Sequence, residues 1–216
     1  MGNQMGSRMA PRRADRVFIT GSTGTGKTVL ARALFASRLP PRLVIDPKAD
    51  LEATGGAYAD TRQAITFTDP ARLPDAGSLR FVPRDPFDLD AYDRLARLLW
   101  EDRPGLYLWL DEAGLVLPAQ GAPRGMLRLV TQGRGRGIGI IALHQRPIEV
   151  ARAFLGNAEH IAAFRLGHPD DVDTLAAHVS MPPARLAGIL VTLAPHGFAW
   201  YARRDNLLAR CPPLRL

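Results

Sequence analysis

Short runs of apolar residues alternate along this chain with longer segments in which apolar residues recur every three or four positions. The runs are typical of strands buried on both faces of a sheet, and the longer segments are typical of amphipathic helices. The predicted strands are 16–20, 43–46, 65–68, 79–82, 106–111, 139–143, 160–166 and 197–201, and the predicted helices are 28–39, 89–101, 123–132 and 170–178. Asp90 and Asp170 stand where helix N-caps are expected. The alternation predicts an α/β fold with a mostly parallel central sheet and helices on both faces.

Three stretches of the chain lack this alternation. Residues 69–86 are rich in Pro, Asp and Arg, which predicts loops around one short strand. Residues 181–216 are rich in Pro, Leu and Arg and are compatible with a closing strand and a tail. The first residues are polar, so we expect a disordered N-terminal arm at 1–13 and a single domain at 14–216.

A glycine-rich motif, G-x-x-x-x-G-K-T, occupies residues 21–28, between the first predicted strand and the first predicted helix. This is the context that a phosphate-binding loop requires, because glycines let backbone N–H groups point at phosphate oxygens. The helix N-terminus adds a partial positive charge. We expect Lys27 to reach the β- and γ-phosphates and the Thr28 hydroxyl to hold Mg²⁺. The predicted nucleotide contacts are Gly21, Ser22, Thr23, Gly24, Thr25, Gly26, Lys27, Thr28 and Val29.

An acidic pair, Asp111 and Glu112, follows the apolar run 106–110 in a Walker B arrangement. We expect Asp111 to meet the Mg²⁺ shell and Glu112 to polarise a water molecule for in-line attack on the γ-phosphate. An acidic turn at the end of an edge strand would have the same sequence, but the phosphate loop upstream favours the catalytic interpretation. The adjacent glutamate also favours an enzyme that hydrolyses ATP over a small-molecule kinase, whose acceptor replaces water.

Polar residues flank the apolar run 138–143. Gln145 follows it and is suitably positioned to sense the γ-phosphate, although a glutamine bonded to the backbone would have the same pattern. Arg134 and Arg136 precede it in a glycine-rich segment. Three interpretations of these arginines stay open: a flexible loop that touches nucleic acid, a solvated turn, or an arginine finger that enters the site of a neighbouring subunit.

Composition narrows the class of protein. The apolar fraction of 46% is ordinary for a globular protein, and no apolar stretch approaches the roughly 18 residues that a membrane span needs. The single cysteine, Cys211, excludes a disulfide framework and a cysteine-based metal site, and the polar N-terminus lacks the apolar core of a secretory signal. We therefore expect a cytoplasmic protein that is not itself transmembrane.

The net charge is +7, yet Lys27 and Lys48 are the only two lysines. Lys27 lies in the predicted phosphate loop, where a compact ammonium suits the site better than a planar guanidinium. Lys48 follows the second predicted strand. Its position is compatible with a solvated loop residue or with a group near the nucleotide or a nucleic acid.

Four motifs together resemble the FtsK/HerA superfamily of DNA-pumping ATPases in order and spacing. They are GSTGTGKT at 21–28, VIDPKADLE at 44–52, LYLWLDEA at 106–113 and GRGRGIGIIALHQRP at 133–147. The resemblance runs from residue 16 to about residue 180, and HPDDVDTLAAHV at 168–179 is similar to the helix that follows the last core strand in that superfamily. Among its members, the chain most resembles the genome-packaging ATPases of tailless, internal-membrane dsDNA viruses and phages.

This resemblance implies a RecA-like (ASCE) core that assembles as a ring, usually a hexamer, with ATP and Mg²⁺ at the subunit interfaces. It makes Gln145 the sensor and Arg134 the trans-acting arginine, with Arg136 as the reserve candidate. His144 stands where the family usually has a small hydroxyl residue, which leaves open how the sensor loop couples. The implied partners are dsDNA, further copies of the chain, and capsid vertex, portal or membrane proteins of the virion. The implied location is the host cytoplasm and a virion vertex.

A ring that grips duplex DNA needs positive charge facing its channel. The candidate DNA contacts are Arg124 and Arg128, in a loop that we expect at 118–128, after the Walker B strand. The Gly55-Gly56 turn is a second candidate, and either segment is also compatible with an ordinary solvent-facing loop. No aromatic-rich platform for single strands is evident in the sequence, which favours duplex DNA.

The leading hypothesis is an ATP-driven motor that packages a viral dsDNA genome into a preformed capsid. A helicase or a conjugative DNA-transfer motor on the same core is the first alternative. A nucleotide-gated assembly or regulatory switch is the second. A small-molecule kinase comes last, because it leaves Glu112 without a role.

Overall fold

The centre of the molecule is a mostly parallel sheet with helices packed on both of its faces. The structure is a computed structural model, and it describes residues 9–51 and 64–214. Within those ranges the strands are β1 (Arg16–Thr20), β2 (Arg42–Ile45), β3 (Ile65–Phe67), β4 (Ser78–Phe81), β5 (Tyr107–Leu110), β6 (Gly139–His144), β7 (His160–Ala163), β8 (Phe198–Ala202) and β9 (Leu207–Cys211).

The helices connect these strands across the two faces. They are α1 (Lys27–Ala36), α2 (Leu89–Asp102), α3 (Ala113–Val116), α4 (Arg124–Gln132), α5 (Arg152–Asn157), α6 (Pro169–Ala176) and α7 (Pro183–Val191). Short 3-10 helices lie at 70–72, 133–136, 147–149 and 203–205. No helix in the described part of the chain is long and apolar enough to cross a bilayer.

The strands are ordered β3-β4-β2-β5-β6-β1-β7-β8-β9. Strands β1 to β7 pair in parallel, whereas β8 and β9 pair antiparallel at one edge. The carboxyl ends of the parallel strands therefore share one edge of the sheet, which is where open α/β sheets bind ligands. Strand β1 lies between β6 and β7, so the segment after it has neighbours on both sides. The predicted mostly parallel sheet is confirmed.

Successive residues of β1 point to opposite faces of the sheet, and each face has its own apolar core. Val17 and Ile19 belong to the core on the α1 side, together with Leu30, Ala31 and Phe35. Phe18 belongs to the other core, where its ring packs edge-on against Phe154 of α5 with 6.1 Å between the ring centroids. Helices α2, α4, α6 and α7 complete that second layer. The helices therefore cover both faces, as predicted.

The two predicted N-caps were wrong. Asp88 caps α2, because its Oδ1 accepts a hydrogen bond from the backbone N–H of Ala91 at 2.9 Å, and Asp90 lies in the first turn. His168 is the residue before α6, which begins at Pro169, and Asp170 again lies in the first turn. Proline fits the first helical position because it has no N–H to satisfy there. The negative charges of Asp90 and Asp170 still stabilise their helices, because a helix N-terminus carries a partial positive charge.

Several elements were not predicted from the sequence. Helices α3 and α5 have only 4 and 6 residues, so they show almost no helical periodicity. Helix α7 lies within the stretch 181–216, and β9 closes the sheet there by pairing with β8. The closing strand is thus present, but it is the second strand of an antiparallel hairpin.

The prediction of a disordered arm does not hold for residues 9–13, which pack against the domain. The Arg13 guanidinium donates hydrogen bonds to the carbonyl oxygens of Leu39 at 2.7 Å and Gly105 at 2.9 Å. Met9 contacts the core on the α1 side. Residues 1–8 lie outside the described residues, as does the Gly55-Gly56 turn.

Candidate nucleotide-binding site

The phosphate loop follows β1 directly and leads into α1, as predicted. Gly21 must be a glycine, because a Cβ there would lie 2.5 Å from the Cβ of Phe164. Gly26 has φ of 104°, in the region that glycine favours, and precedes the first residue of α1. The N–H of Ser22 donates to the carbonyl of Arg165 at 2.9 Å, which ties the loop to the segment after β7.

Lys27 lies across the mouth of this loop. Its Nζ donates a hydrogen bond to the carbonyl oxygen of Ser22 at 2.8 Å. Burial lowers the pKa of Lys27, while the nearby carboxylates of Glu112 and Asp111 act to raise it. The fold therefore brings the lysine close to the acidic pair, although they are more than 80 positions apart in the chain.

Asp111 follows β5 at the same edge of the sheet, and its N–H donates to the carbonyl of Ile45 at 3.0 Å. Burial, together with the neighbouring carboxylates of Asp46 and Glu112, raises the pKa of Asp111 to about 7. A cation beside Asp111 and the phosphates would offset the repulsion between Asp111 and these carboxylates. Asp111 and the Thr28 hydroxyl are oxygen donors, which Mg²⁺ prefers.

These residues fit Mg²⁺ as a partly hydrated ion. In the ranges that the structure covers, no group of three or more His, Cys, Asp or Glu side chains could hold a metal ion by itself. Mg²⁺ usually keeps several waters and takes one or two protein ligands plus phosphate oxygens. Thr28 and Asp111 would hold the ion on that basis, with the nucleotide supplying the remaining oxygens.

The Glu112 carboxylate lies between two cationic or polar partners. Nζ of Lys48 is 2.7 Å from its Oε1, and Nδ1 of His144 is 3.2 Å from its Oε2. His144 lowers the pKa of Glu112 to about 2, with a further contribution from Lys48, whereas burial acts in the opposite direction. The backbone of Glu112 has φ of 49°, in the left-handed region that such residues seldom adopt. The side chain is therefore held in a defined place and in its ionised form.

His144 continues this chain of contacts. Its Nε2 lies 2.8 Å from Oε2 of Glu149, so the ring is bracketed by two carboxylates. Gly114 leaves room for the ring, because a Cβ there would lie 2.5 Å from Nε2. We call Lys48, Glu112, His144 and Glu149 the Glu112 clamp. The histidine that departs from the family pattern is thus a direct partner of the predicted catalytic base.

Gln145 stands beside the phosphate loop, where the sequence predicts it. His144 and Thr20 are the last residues of β6 and β1 and lie opposite each other in the parallel register. The Thr20 hydroxyl donates to the backbone carbonyl of Gln145 at 3.2 Å, and the Gln145 side chain is exposed. The structure therefore brings Lys27, Asp111 and Gln145 to the same edge of the sheet.

Arg134 and Arg136 lie at the opposite edge. They belong to the 3-10 helix that precedes β6, and β6 runs parallel to β1. The five residues of β1 span about 16 Å, so neither arginine reaches the phosphate loop of its own molecule. Nη1 of Arg134 lies 3.2 Å from Oε1 of Glu159, and the side chain is 52% exposed. Neither arginine can therefore act on the nucleotide of its own molecule.

The predicted loop at 118–128 ends earlier than expected. Helix α4 begins at Arg124, so Arg124 and Arg128 are helical and exposed. Asp93 fixes this start, because its Oδ1 accepts from the N–H of Gly125 at 2.6 Å. The Arg128 guanidinium lies 4.0 Å from the ring centre of Trp100. The Arg136 guanidinium lies 4.9 Å from the centre of the same ring, so two arginines place their positive charges on this surface.

Comparison with known proteins shows what this chain is similar to. No protein-family model matches the chain. The chain is 26% identical over 190 residues to the DNA packaging ATPase P9 of Enterobacteria phage PRD1, a match that covers 86% of this chain and 79% of that protein. The chain is a relative of a viral packaging ATPase. The resemblance to viral packaging ATPases that the four motifs predicted is therefore confirmed.

Solved structures show the same fold. The genome packaging NTPase B204 from Sulfolobus turreted icosahedral virus 2, in complex with AMP, has a TM-score of 0.77 at 18% identity, covering 95% of this chain and 100% of that one. B204 has also been solved with AMPPCP and with ATP-γ-S. VirB4 of Thermoanaerobacter pseudethanolicus has a TM-score of 0.70 at 11% identity, covering 93% and 90%. The predicted P-loop NTPase fold is confirmed.

The sequence analysis did not identify some residues that lie at or near the site. Asp46 follows β2 and is fully buried, and its Oδ2 accepts a hydrogen bond from the Arg80 guanidinium at 2.7 Å. A charged residue inside the apolar run of β4 is the signal that could have indicated this buried pair. Glu149 and Glu159 carry no comparable signal, because their roles depend on which strands lie side by side.

Proposed function

We propose that the chain is an ATPase that hydrolyses ATP with Mg²⁺ and uses the energy to move dsDNA into a preformed viral capsid. The observation that carries this proposal is the proximity of Lys27, Asp111 and Glu112 in a chain that is similar to a DNA packaging ATPase. The nucleotide complexes of B204 support ATP as the nucleotide.

The chemistry follows from the groups in the pocket. Backbone N–H groups of the phosphate loop and the Lys27 ammonium bind the β- and γ-phosphates. Glu112 takes a proton from a water molecule as the water oxygen bonds to the γ-phosphorus, and the bond from that phosphorus to the bridging oxygen breaks. When bound, Mg²⁺ supplies positive charge to the phosphate oxygens from beside Thr28 and Asp111.

The Glu112 clamp weakens this base until a partner leaves. Lys48 and His144 contact the two oxygens of the carboxylate, and both contacts lower the pKa of Glu112, which makes it a weaker acceptor of a proton from water. Lys48 follows β2 and its side chain is 44% exposed, so it is the partner that can leave with least disturbance of the core. A γ-phosphate at Lys27 offers it an alternative anion.

The remote position of Arg134 supports a ring in which adjoining copies share each nucleotide. One copy supplies the phosphate loop and Glu112, and its neighbour supplies Arg134, with Arg136 as the reserve. In such a ring the exposed arginines Arg124 and Arg128 face dsDNA and bind its phosphates without reading sequence. The ring acts in the host cytoplasm, at a capsid vertex formed by portal or membrane proteins of the virion.

The direct test measures ATP turnover of the purified chain with and without duplex DNA, together with its mass in solution. We expect a ring-sized assembly whose turnover rises when duplex is added. A protein that stays a single copy, with turnover that ignores duplex, would contradict the motor. Unwinding of a forked duplex by the same preparation would favour a helicase instead.

A further inference from the structure

Glu159 lies directly before β7, at the amino-terminal ends of the parallel strands, and its backbone is fixed there. Its carbonyl oxygen accepts a hydrogen bond from the N–H of Arg203 at 2.9 Å. The next residue, His160, is opposite Val17 in the parallel register of β1 and β7. The Glu159 side chain is only 14% exposed. Its carboxylate therefore occupies a defined place beside the start of β1.

Arg16, the first residue of β1, binds this carboxylate through both its backbone and its side chain. The N–H of Arg16 donates to Oε2 of Glu159 at 2.7 Å, and Nη1 lies 3.4 Å from Oε1. The Arg16 side chain is buried, and its Nε donates to the carbonyl oxygen of Val130 at 2.5 Å. Burial lowers the pKa of Arg16, whereas the charge of Glu159 acts to raise it. A buried charge needs such a partner, so Arg16 anchors the Glu159 carboxylate.

Arg134 reaches the same carboxylate from the 3-10 helix before β6. Its Nη1 lies 3.2 Å from Oε1 of Glu159, although about half of the Arg134 side chain is exposed. A guanidinium has five N–H donors in a planar fork, and this contact engages one nitrogen atom of the fork. The contact therefore holds a long, exposed side chain in one orientation and leaves much of it open to solvent.

We propose that Glu159 is a positioning residue for the trans-acting arginine, because it holds the Arg134 guanidinium on the outer surface where the γ-phosphate of a neighbouring copy can meet it. The inference rests on the proposed function, in which Arg134 serves the site of the neighbour. An arginine that is already oriented contacts the transition state more often than one that samples many rotamers, so orientation raises the rate of the chemical step. Glu159 itself touches neither the nucleotide nor the attacking water.

The first test is Glu159→Gln, which leaves one carbonyl oxygen where the glutamate has two. The N–H of Arg16 takes that oxygen, because an unpaired buried N–H is costly. The amide NH₂ then faces Arg134, and two donors cannot form a hydrogen bond with each other. We expect kcat to fall about tenfold and KM for ATP to stay within about twofold of the parent, because the phosphate loop is unaltered. An unchanged or raised kcat would overturn the proposal.

The decisive measurement is rescue by the neighbouring copy. Glu159→Gln subunits are mixed with an excess of Glu112→Gln subunits, which keep Glu159 and Arg134 but lack the base. Each active site then receives its arginine from an intact neighbour. Turnover per Glu159→Gln subunit should therefore rise to that of parent subunits diluted in the same way. A loss that arises inside the altered subunit, through Arg16 or the fold, would persist in the mixture and would overturn the proposal.

A second variant covers the case in which Glu159→Gln does not fold. Glu159→Asp keeps the negative charge that Arg16 requires and withdraws the carboxylate from Arg134 by one methylene. It should lower kcat and be rescued in the same mixture, and a parent-like kcat would overturn the proposal.

The matched control is Arg204→Ala, which removes another exposed arginine at the same ends of the strands. Nη2 of Arg204 lies 3.7 Å from Oδ1 of the buried Asp15. This variant should have the kcat of the parent. A similar loss in Arg204→Ala would show that any arginine lost here slows turnover, which would overturn a specific role of Glu159.

Arg134→Ala separates this inference from the proposed function. If Arg134→Ala is inactive while Glu159→Gln turns over like the parent, only the role of Glu159 is overturned. If Arg134→Ala itself turns over like the parent, the site shared between copies is overturned. A parent protein that does not hydrolyse ATP would overturn the ATPase function as a whole.

Discussion

Nζ of Lys48 lies 2.7 Å from Oε1 of Glu112, so the predicted catalytic base is ion-paired with a residue 64 positions earlier in the chain. His144 contacts the other oxygen, and the pKa of Glu112 is lowered to about 2. A general base works best when its pKa is near the working pH. The contacts that hold Glu112 in place therefore also make it a weaker base, because they lower its pKa.

Removing the lysine should release that restraint. We expect Lys48→Met to raise DNA-independent ATP turnover several-fold and to reduce further stimulation by duplex DNA, because the pKa of Glu112 then rises toward its usual value. Lys48→Arg keeps the cation and is the matched control. The measurement is steady-state ATP turnover with and without duplex. A Lys48→Met variant that is slower than the parent under both conditions would show that the lysine assists the reaction.

Glu112 itself should be indispensable for hydrolysis and dispensable for binding. Glu112→Gln keeps the shape of the side chain and removes the base, so we expect turnover to fall by about 10²- to 10⁴-fold. Affinity for ATP, measured by calorimetry, should stay within a few-fold of the parent. Near-normal turnover of this variant would remove Glu112 from the role of the base.

Arg134 and Glu112 lie at opposite edges of the sheet, which makes a mixing experiment informative. We expect Arg134→Ala and Glu112→Gln subunits to be inactive alone and to regain part of the turnover when mixed, because some interfaces then combine an intact Glu112 with an intact Arg134. Arg136→Ala in place of Arg134→Ala tests the reserve candidate. An absence of recovery in mixed assemblies counts against an arginine acting from the neighbouring copy.

The raised pKa of Asp111, about 7, predicts a pH dependence of stability. Between pH 4 and 7 the folded chain holds a proton there that the unfolded chain has lost, so this group makes stability fall as the pH rises. We expect the Tm of the nucleotide-free protein to decrease across that window. Asp111→Asn should remove this part of the slope, and added MgATP should restore Tm above pH 7. Glu112 has the opposite effect on stability. Because its pKa is lowered to about 2, this group makes stability rise with pH between about 2 and its usual pKa.

The structure corrects the sequence interpretation where a local pattern was ambiguous. The N-caps at Asp90 and Asp170 were wrong by two residues, because first-turn and capping aspartates have similar patterns. Arg124 and Arg128 lie in the helix that the sequence predicted at 123–132 and not in the overlapping loop predicted at 118–128, and Asp93 on a different helix caps the start of α4. Residues 9–13 are packed, because Arg13 finds carbonyl acceptors that are remote in the chain.

The amino-acid sequence alone determined the layered α/β fold and the phosphate loop, since both follow from short-range patterns: apolar runs of strand length and glycines at fixed spacing before Lys27. The order of the strands was decided only in three dimensions. That order brings His144 and Lys48 into contact with Glu112. It also places Arg134 at the amino-terminal ends of the parallel strands, away from the phosphate loop. Contacts of this kind join residues tens of positions apart, and they depend on which strands pair, a property that no local pattern contains.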